Sequence, residues 1–164
     1  MTQIVIALFA LLTTCSAHAD SKSFELMAIG MAESSNGIYK NHSVVTKGLN
    51  AGTHAGGSYG LMGLTVKDLI RKFPSLKKKY SRLLELSPNQ ISNWISAHPA
   101  DDKAIATVNW TRLRKHMTFA QSAYSWLNGE AGCSRKTQEQ IRNNPYVKKV
   151  LNNYELLRSQ VAQQ

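Results

Sequence analysis

An all-α fold is what this sequence predicts, and three observations carry the expectation. Apolar residues recur at helical spacing in one segment after another. Most of those segments open on a residue that can cap a helix. Nowhere past the N-terminal segment does the chain alternate apolar and polar residues as a half-buried strand should.

The elements follow in order. Ser21 or Ser23 can cap a first helix running to about Ser34, with Phe24, Met27 and Met31 on one stripe, widened by Leu26 and Ile29. From Gly37 to Gly63 the pattern breaks: seven glycines and no helical period predict a long loop, and a long loop in a compact domain is usually functional or disordered. Thr65-Val66-Lys67-Asp68 resembles a capping box and predicts the start of the next helix, carrying Leu69, Ile70 and Phe73. Ser87-Pro88-Asn89-Gln90 is a fuller start signal, with a Ser cap, Pro in the first turn and Gln at the third position. That helix carries Ile91, Trp94 and Ile95 and stops near Pro99. Asp101 or Asp102 opens another, with Ile105, Val108 and Leu113 inside. Thr118-Phe119-Ala120-Gln121 opens a helix that ends at Gly129, and Ser134 and Asn144-Pro145 open the last two. Trp94 and Trp110 are expected in the core.

Residues 1–19 are read as a signal peptide and 20–164 as a single domain. The apolar run Ile4 to Leu12 is shorter than the ~20 residues a membrane-spanning helix needs, and it leads into Ala17-His18-Ala19, a small-x-small cleavage pattern. The expected location is therefore exported, periplasmic or secreted. Two competing readings are acylation at Cys15 and a buried N-terminal helix. Cleavage leaves Cys133 as the one cysteine, so no internal disulfide and no thiolate metal cluster are expected. Lysines and arginines outnumber carboxylates to give a formal charge of +10, spread over several light clusters. In an exported protein such a field suits anionic wall polymers or acidic lipid surfaces as peripheral contacts; nucleic acid is not the expected partner.

The chemistry centres on Glu33. It ends the first helix four residues after Ile29 and seven after Leu26, on the apolar side. Apolar neighbours disfavour its charged form, and the negative end of the helix dipole pushes the same way. A carboxylic acid that keeps its proton near neutral pH is what general-acid cleavage of a glycosidic bond requires. Two further segments could border such a group. Ser58-Tyr59-Gly60-Leu61-Met62 closes the glycine loop, where backbone can approach a bulky ligand. Tyr124 and Trp126, with Asn128 beyond them, offer a phenol to steer a carboxyl and a flat ring for a sugar. A second carboxylate, needed by two-carboxylate glycosidases, is absent between Ser34 and Lys67; Asp68, Asp101, Asp102 and Glu130 are the candidates elsewhere. His42 and His54 have no carboxylate or thiol beside them, so no metal is expected, and no cofactor.

At these residues the chain resembles the soluble lytic transglycosylase and goose-type lysozyme superfamily. Glu33-Ser34 matches the family's Glu-Ser motif at a helix end, Gly60-Leu61-Met62-Gly63 its Gly-Leu-Met-Gln motif, and Ala123-Tyr124-Ser125 its Ala-Tyr-Asn motif. Pro145-Tyr146-Val147-Lys148-Lys149-Val150-Leu151 is similar to its closing Tyr-Val-x-x-Val-Leu helix. Two positions depart: Gly63 stands for Gln and Ser125 for Asn. The resemblance implies a lysozyme-like helical domain with the glycine-rich loop bordering a cleft, and cleavage of peptidoglycan glycan strands by a monomer. It implies Glu33 as a single acid/base, with Ser34, Ser58, Tyr59, Gly60, Leu61, Met62, Tyr124, Trp126 and Asn128 contacting substrate, and 1,6-anhydro ends as product. Hydrolysis of the same polymer, in its acetylated or de-N-acetylated form, and wall binding without turnover are the alternatives.

Overall fold

A computed structural model describes residues 21–35, 42–47 and 50–163. The expected signal peptide, Cys15 and the stretch from Gly37 to Asn41 lie outside the described residues.

The first helix, α1, covers residues 21–34 and ends where Ser35 turns to a positive φ of 50°. Leu26, Ala28, Ile29 and Ala32 are its buried stripe. A strand, β1 (Ala55–Gly56), then pairs antiparallel with β2 (Leu61–Met62), with Ala55 opposite Met62 and Gly56 opposite Leu61. The glycine segment, expected as loop throughout, thus closes in a small hairpin. Strands of two residues are too short to register as alternation. What fixes the hairpin is contact: a Cβ at Gly56 would lie 2.1 Å from the Ser92 carbonyl oxygen, and Ser92 Oγ donates to the His54 carbonyl at 2.7 Å.

Eight helices follow: α2 (Gly63–Lys72), α3 (Pro74–Tyr80), α4 (Pro88–Ala97), α5 (Pro99–Arg114), α6 (Phe119–Asn128), α7 (Glu130–Cys133), α8 (Gln138–Asn143) and α9 (Pro145–Val161). A 3₁₀ turn over Ser81–Glu85 joins α3 to α4. The capping boxes at Ser87 and Thr118 form as expected, each with both reciprocal hydrogen bonds. Asn144 Oδ1 caps α9 by accepting from Tyr146 N and Val147 N, and Gly129 ends α6 with φ of 73°.

Three starts differ from the sequence reading. α2 begins at Gly63, not Thr65, and has no side-chain cap. Here Gly63 packs so tightly on α4 that a Cβ would sit 2.1 Å from the Pro88 carbonyl oxygen, so packing outweighs the local signal at Thr65. α5 begins at Pro99, leaving Asp101 and Asp102 in its first turn. α8 is capped by Thr137 with Gln140, while Ser134 terminates α7.

The core joins Ile29 of α1 to Val66 and Ile70 of α2, Ile91 and Ile95 of α4, Ile105 and Trp110 of α5, and Val147 and Val150 of α9, all buried. Trp110 is in the core as expected. Trp94 is only half-buried, stacked on the His98 ring at 4.2 Å. Inside the core sits one ion pair: Glu25 accepts from Trp110 Nε1 at 3.0 Å and from Arg114 Nε at 2.9 Å, which gives its buried charge three donors with Arg114 Nη2. Among the described residues no helix is long and apolar enough to cross a membrane.

Candidate active site at the end of α1

Glu33 reaches the junction of three elements. α1 supplies the side chain, the hairpin supplies a wall, and α9 supplies the groups that hold it. Tyr146 Oη donates to Glu33 Oε1 at 2.6 Å. On the hairpin side Gly60 has a φ of 63°, and a Cβ there would stand 2.5 Å from Glu33 Oε2. Only glycine fits both the left-handed backbone and the closeness of the carboxyl. The glycine segment was expected to let backbone approach a bulky ligand; the group that Gly60 lies against in this structure is the Glu33 carboxyl.

α9 grips α1 along its length. One turn beyond Tyr146, Lys149 Nζ donates to the Ala32 carbonyl at 2.7 Å, and a further turn on Asn153 Nδ2 donates to the Ala28 carbonyl at 3.3 Å. Lys149 satisfies a carbonyl of the last turn of α1, where the helix leaves carbonyls without intrahelical donors. Together these three contacts fix how far the end of α1 projects.

Burial pushes the Glu33 carboxyl above its ordinary value of 4.5; the Tyr146 hydrogen bond and the charges of His42 and Lys149 pull it back without cancelling the rise. Burial and the neighbouring Glu33 both push the Tyr146 phenol upward, so it stays a donor. His42 Nε2 hydrogen-bonds the Gly57 carbonyl at 3.0 Å, placing an imidazole by the same hairpin. An acid that favours its proton, held by a donor that cannot take it, can protonate a basic oxygen and recover the proton afterwards.

Among the described residues, no second carboxylate stands with the groups acting on Glu33. The four candidates have other partners. Asp68 pairs with Lys72 at 2.9 Å, Asp101 accepts from Lys79 Nζ and Tyr80 Oη, and Glu130 pairs with Arg112. Asp102 is fully buried and accepts from Ser58 N at 2.7 Å, which ties the hairpin turn to α5.

The other expected site residues divide. Met62, Trp126 and Asn128 line one hollow of about 440 Å³, with Asp68, Arg112 and Glu130 on its rim. Trp126 keeps part of its ring exposed there, while its Nε1 donates to the Tyr59 carbonyl at 3.0 Å. That bond locks α6 to the hairpin three residues from Met62. Ser34 is buried, its hydroxyl bonded to the Gly30 carbonyl at 3.0 Å, and Leu61 belongs to the core. Neither offers a surface to a ligand, because the last turn of α1 and strand β2 both press inward. The Tyr59 ring lies against Gly30 on a different face of α1 and, like Ser58, lines another hollow. Tyr124 is buried in α6, and the phenol that holds Glu33 is that of Tyr146 instead. Ser125 is buried too, its hydroxyl directed at Met117 Sδ at 3.3 Å.

Sequence reasoning passed over Tyr146 and Lys149 as functional groups. The signal was the closing Tyr-Val-Lys-Lys segment itself, which places both on one face of α9. What spacing alone could not supply was the partner, which lies 113 positions away. No family model, curated protein or solved structure matches the chain.

Proposed function

We propose that this protein cleaves the β-1,4 MurNAc–GlcNAc bond of peptidoglycan, as a lytic transglycosylase, with Glu33 as its single acid and base. One observation carries the reading: a half-buried carboxyl whose proton affinity is raised, held between the Tyr146 phenol and the Gly60 backbone at the end of α1. Glu25 forms an ion pair with Arg114, whereas the charges of His42 and Lys149 leave the proton affinity of Glu33 raised.

In the proposed reaction Glu33 protonates the bridging oxygen as the bond from that oxygen to the anomeric carbon breaks. The 6-hydroxyl of the same sugar then attacks the anomeric carbon and its proton passes to the Glu33 carboxylate. The acid is regenerated, no water is consumed, and the product is a 1,6-anhydro sugar. No protein nucleophile is needed, in keeping with the absence of another carboxylate among the groups acting on Glu33. Mass spectrometry of digested sacculi tests this: anhydro-muropeptides are expected, and reducing ends without them would make the enzyme a hydrolase.

A second reading, wall binding without turnover, is favoured by Gly63 and Ser125. Gly63 has no room for a side chain and Ser125 is turned inward, so neither supplies the sugar contact that the resemblance implies at its position. Wild-type protein that binds sacculi and releases no muropeptide would establish it.

A further inference from the structure

A second groove runs between α1 and α5, apart from the Glu33 site. It is made of three adjoining hollows of about 490, 270 and 560 Å³. The first two share Met27, Tyr59 and Lys103, and the last two share Lys22, Thr107 and Thr111, so the depression is continuous. Along α5 it extends from Pro99 to Lys115, about 24 Å at the helical rise. Its floor is apolar: Met27 and Met31 from α1, Tyr59 from the hairpin, Val108 from α5 and Phe73 at the far end. Its rim is cationic. Lys22, Lys103 and Lys115 line it with no ion-pair partner among the described residues, and no carboxylate lines any of the three hollows. The hollow lined by Met62 and Trp126 differs, since Asp68 and Glu130 also line it.

We infer that this groove docks an acidic, amphipathic segment of another protein. Charge complementarity selects the sign: three unpaired ammonium groups ring a concavity free of carboxylates, so an anionic chain is attracted and a cationic one repelled. The floor selects the amphipathic pattern. Met27 is 42% exposed, and methionine side chains adapt to varied apolar partners. A groove between two helices with apolar anchors along its base suits a helix presenting residues at i, i+3, i+4 and i+7.

The test uses the protein without residues 1–19 and a fluorescein-labelled synthetic helix with leucines on one face and glutamates flanking them. Its controls are a scrambled peptide of the same composition and vesicles of phosphatidylglycerol. Fluorescence anisotropy should report micromolar binding of the amphipathic peptide. Lys103→Glu with Lys115→Glu should weaken it at least about tenfold, and Met27→Ser should weaken it with the charges intact. Equal binding of the scrambled peptide would reduce the groove to a charged surface and overturn the inference. Vesicle binding lost in the same variants, with no peptide bound, would assign the rim to lipid instead. Absence of binding to any probe would likewise overturn it.

Discussion

The two sides of α1 are built on opposite terms. On the Glu33 side, the polar groups that hold the end of α1 have defined partners: Tyr146 on Oε1, Lys149 on the Ala32 carbonyl and His42 on the Gly57 carbonyl, with Gly60 packed against Oε2. On the Met27 side the lysines stand unpaired over an apolar floor. In the proposed reaction the tight side orients one proton, and a group to be transferred has to be held in place before its reaction. The open side has no such demand; it can wait for a partner whose charge completes it. The same helix therefore serves one region where geometry is fixed in advance and another where it is left to the ligand.

The largest expected effect breaks the tight side. Glu33→Gln keeps the shape and the acceptor for Tyr146 but cannot give a proton, so glycan cleavage should fall by about 10³-fold or more. A zymogram and muropeptide release measure it. Equal clearing by wild type and variant would remove Glu33 from the chemistry and leave the comparison as one of packing alone.

Gly60→Ala attacks the same side from the hairpin. The new methyl group would meet Glu33 Oε2 and would sit at a φ of 63°. A loss of about 1–2 kcal/mol in unfolding free energy is expected, with activity reduced at least about tenfold because the carboxyl must move. Gly52→Ala, also at a positive φ, 80°, but with nothing within 4 Å, is the control: it should cost backbone strain and leave activity intact.

Tyr146→Phe sharpens the comparison by separating orientation from acidity. The phenol stabilises the carboxylate, so its removal lets burial push Glu33 higher still. Turnover should drop by about tenfold, the worth of one hydrogen bond to a charged group, while the alkaline limb of the pH–rate profile moves to higher pH. A drop with no shift of the limb would mean that Tyr146 only props the end of α1.

How much of this was legible in the sequence follows from the range of each signal. The capping boxes at Ser87 and Thr118 are contained in four residues, and both form. Glu33 was legible because one helix stripe placed it among apolar residues. The start of α2 at Gly63 was not, because its cause is the Pro88 carbonyl, 25 positions on. The same limit hid Tyr146, so the sequence pointed to the phenol of Tyr124, which is nearer the other motif residues but buried in α6. Ser34 and Leu61 carry motif identity yet face inward; a motif marks a segment and leaves open which of its side chains reach solvent. The groove on the Met27 side had no local trace, since its lysines come from α1 and α5 and read separately as a dispersed charge.

The smallest expected effect is thermodynamic, and it bears on why the two sides differ. Glu33 has a raised proton affinity in the folded protein, while the unfolded chain holds it near 4.5. Below 4.5 both states are protonated and the residue imposes no electrostatic penalty. As pH rises through 4.5 the unfolded state ionises first, so the folded state loses ground until the raised value is passed, and the penalty then stays constant. Glu33→Gln removes that penalty while Gln Oε1 can still accept from Tyr146. The variant's Tm should therefore exceed that of wild type at pH 7, and the gap should close as pH falls below 4.5. Charge reversal at Lys103 or Lys115, exposed and unpaired, should shift Tm by no more than about 0.5 kcal/mol equivalent at either pH. If instead the Glu33→Gln gap reverses, with wild type the more stable at pH 7, the carboxylate is a favourable structural charge, and its burial at the end of α1 would serve the fold in place of a reaction.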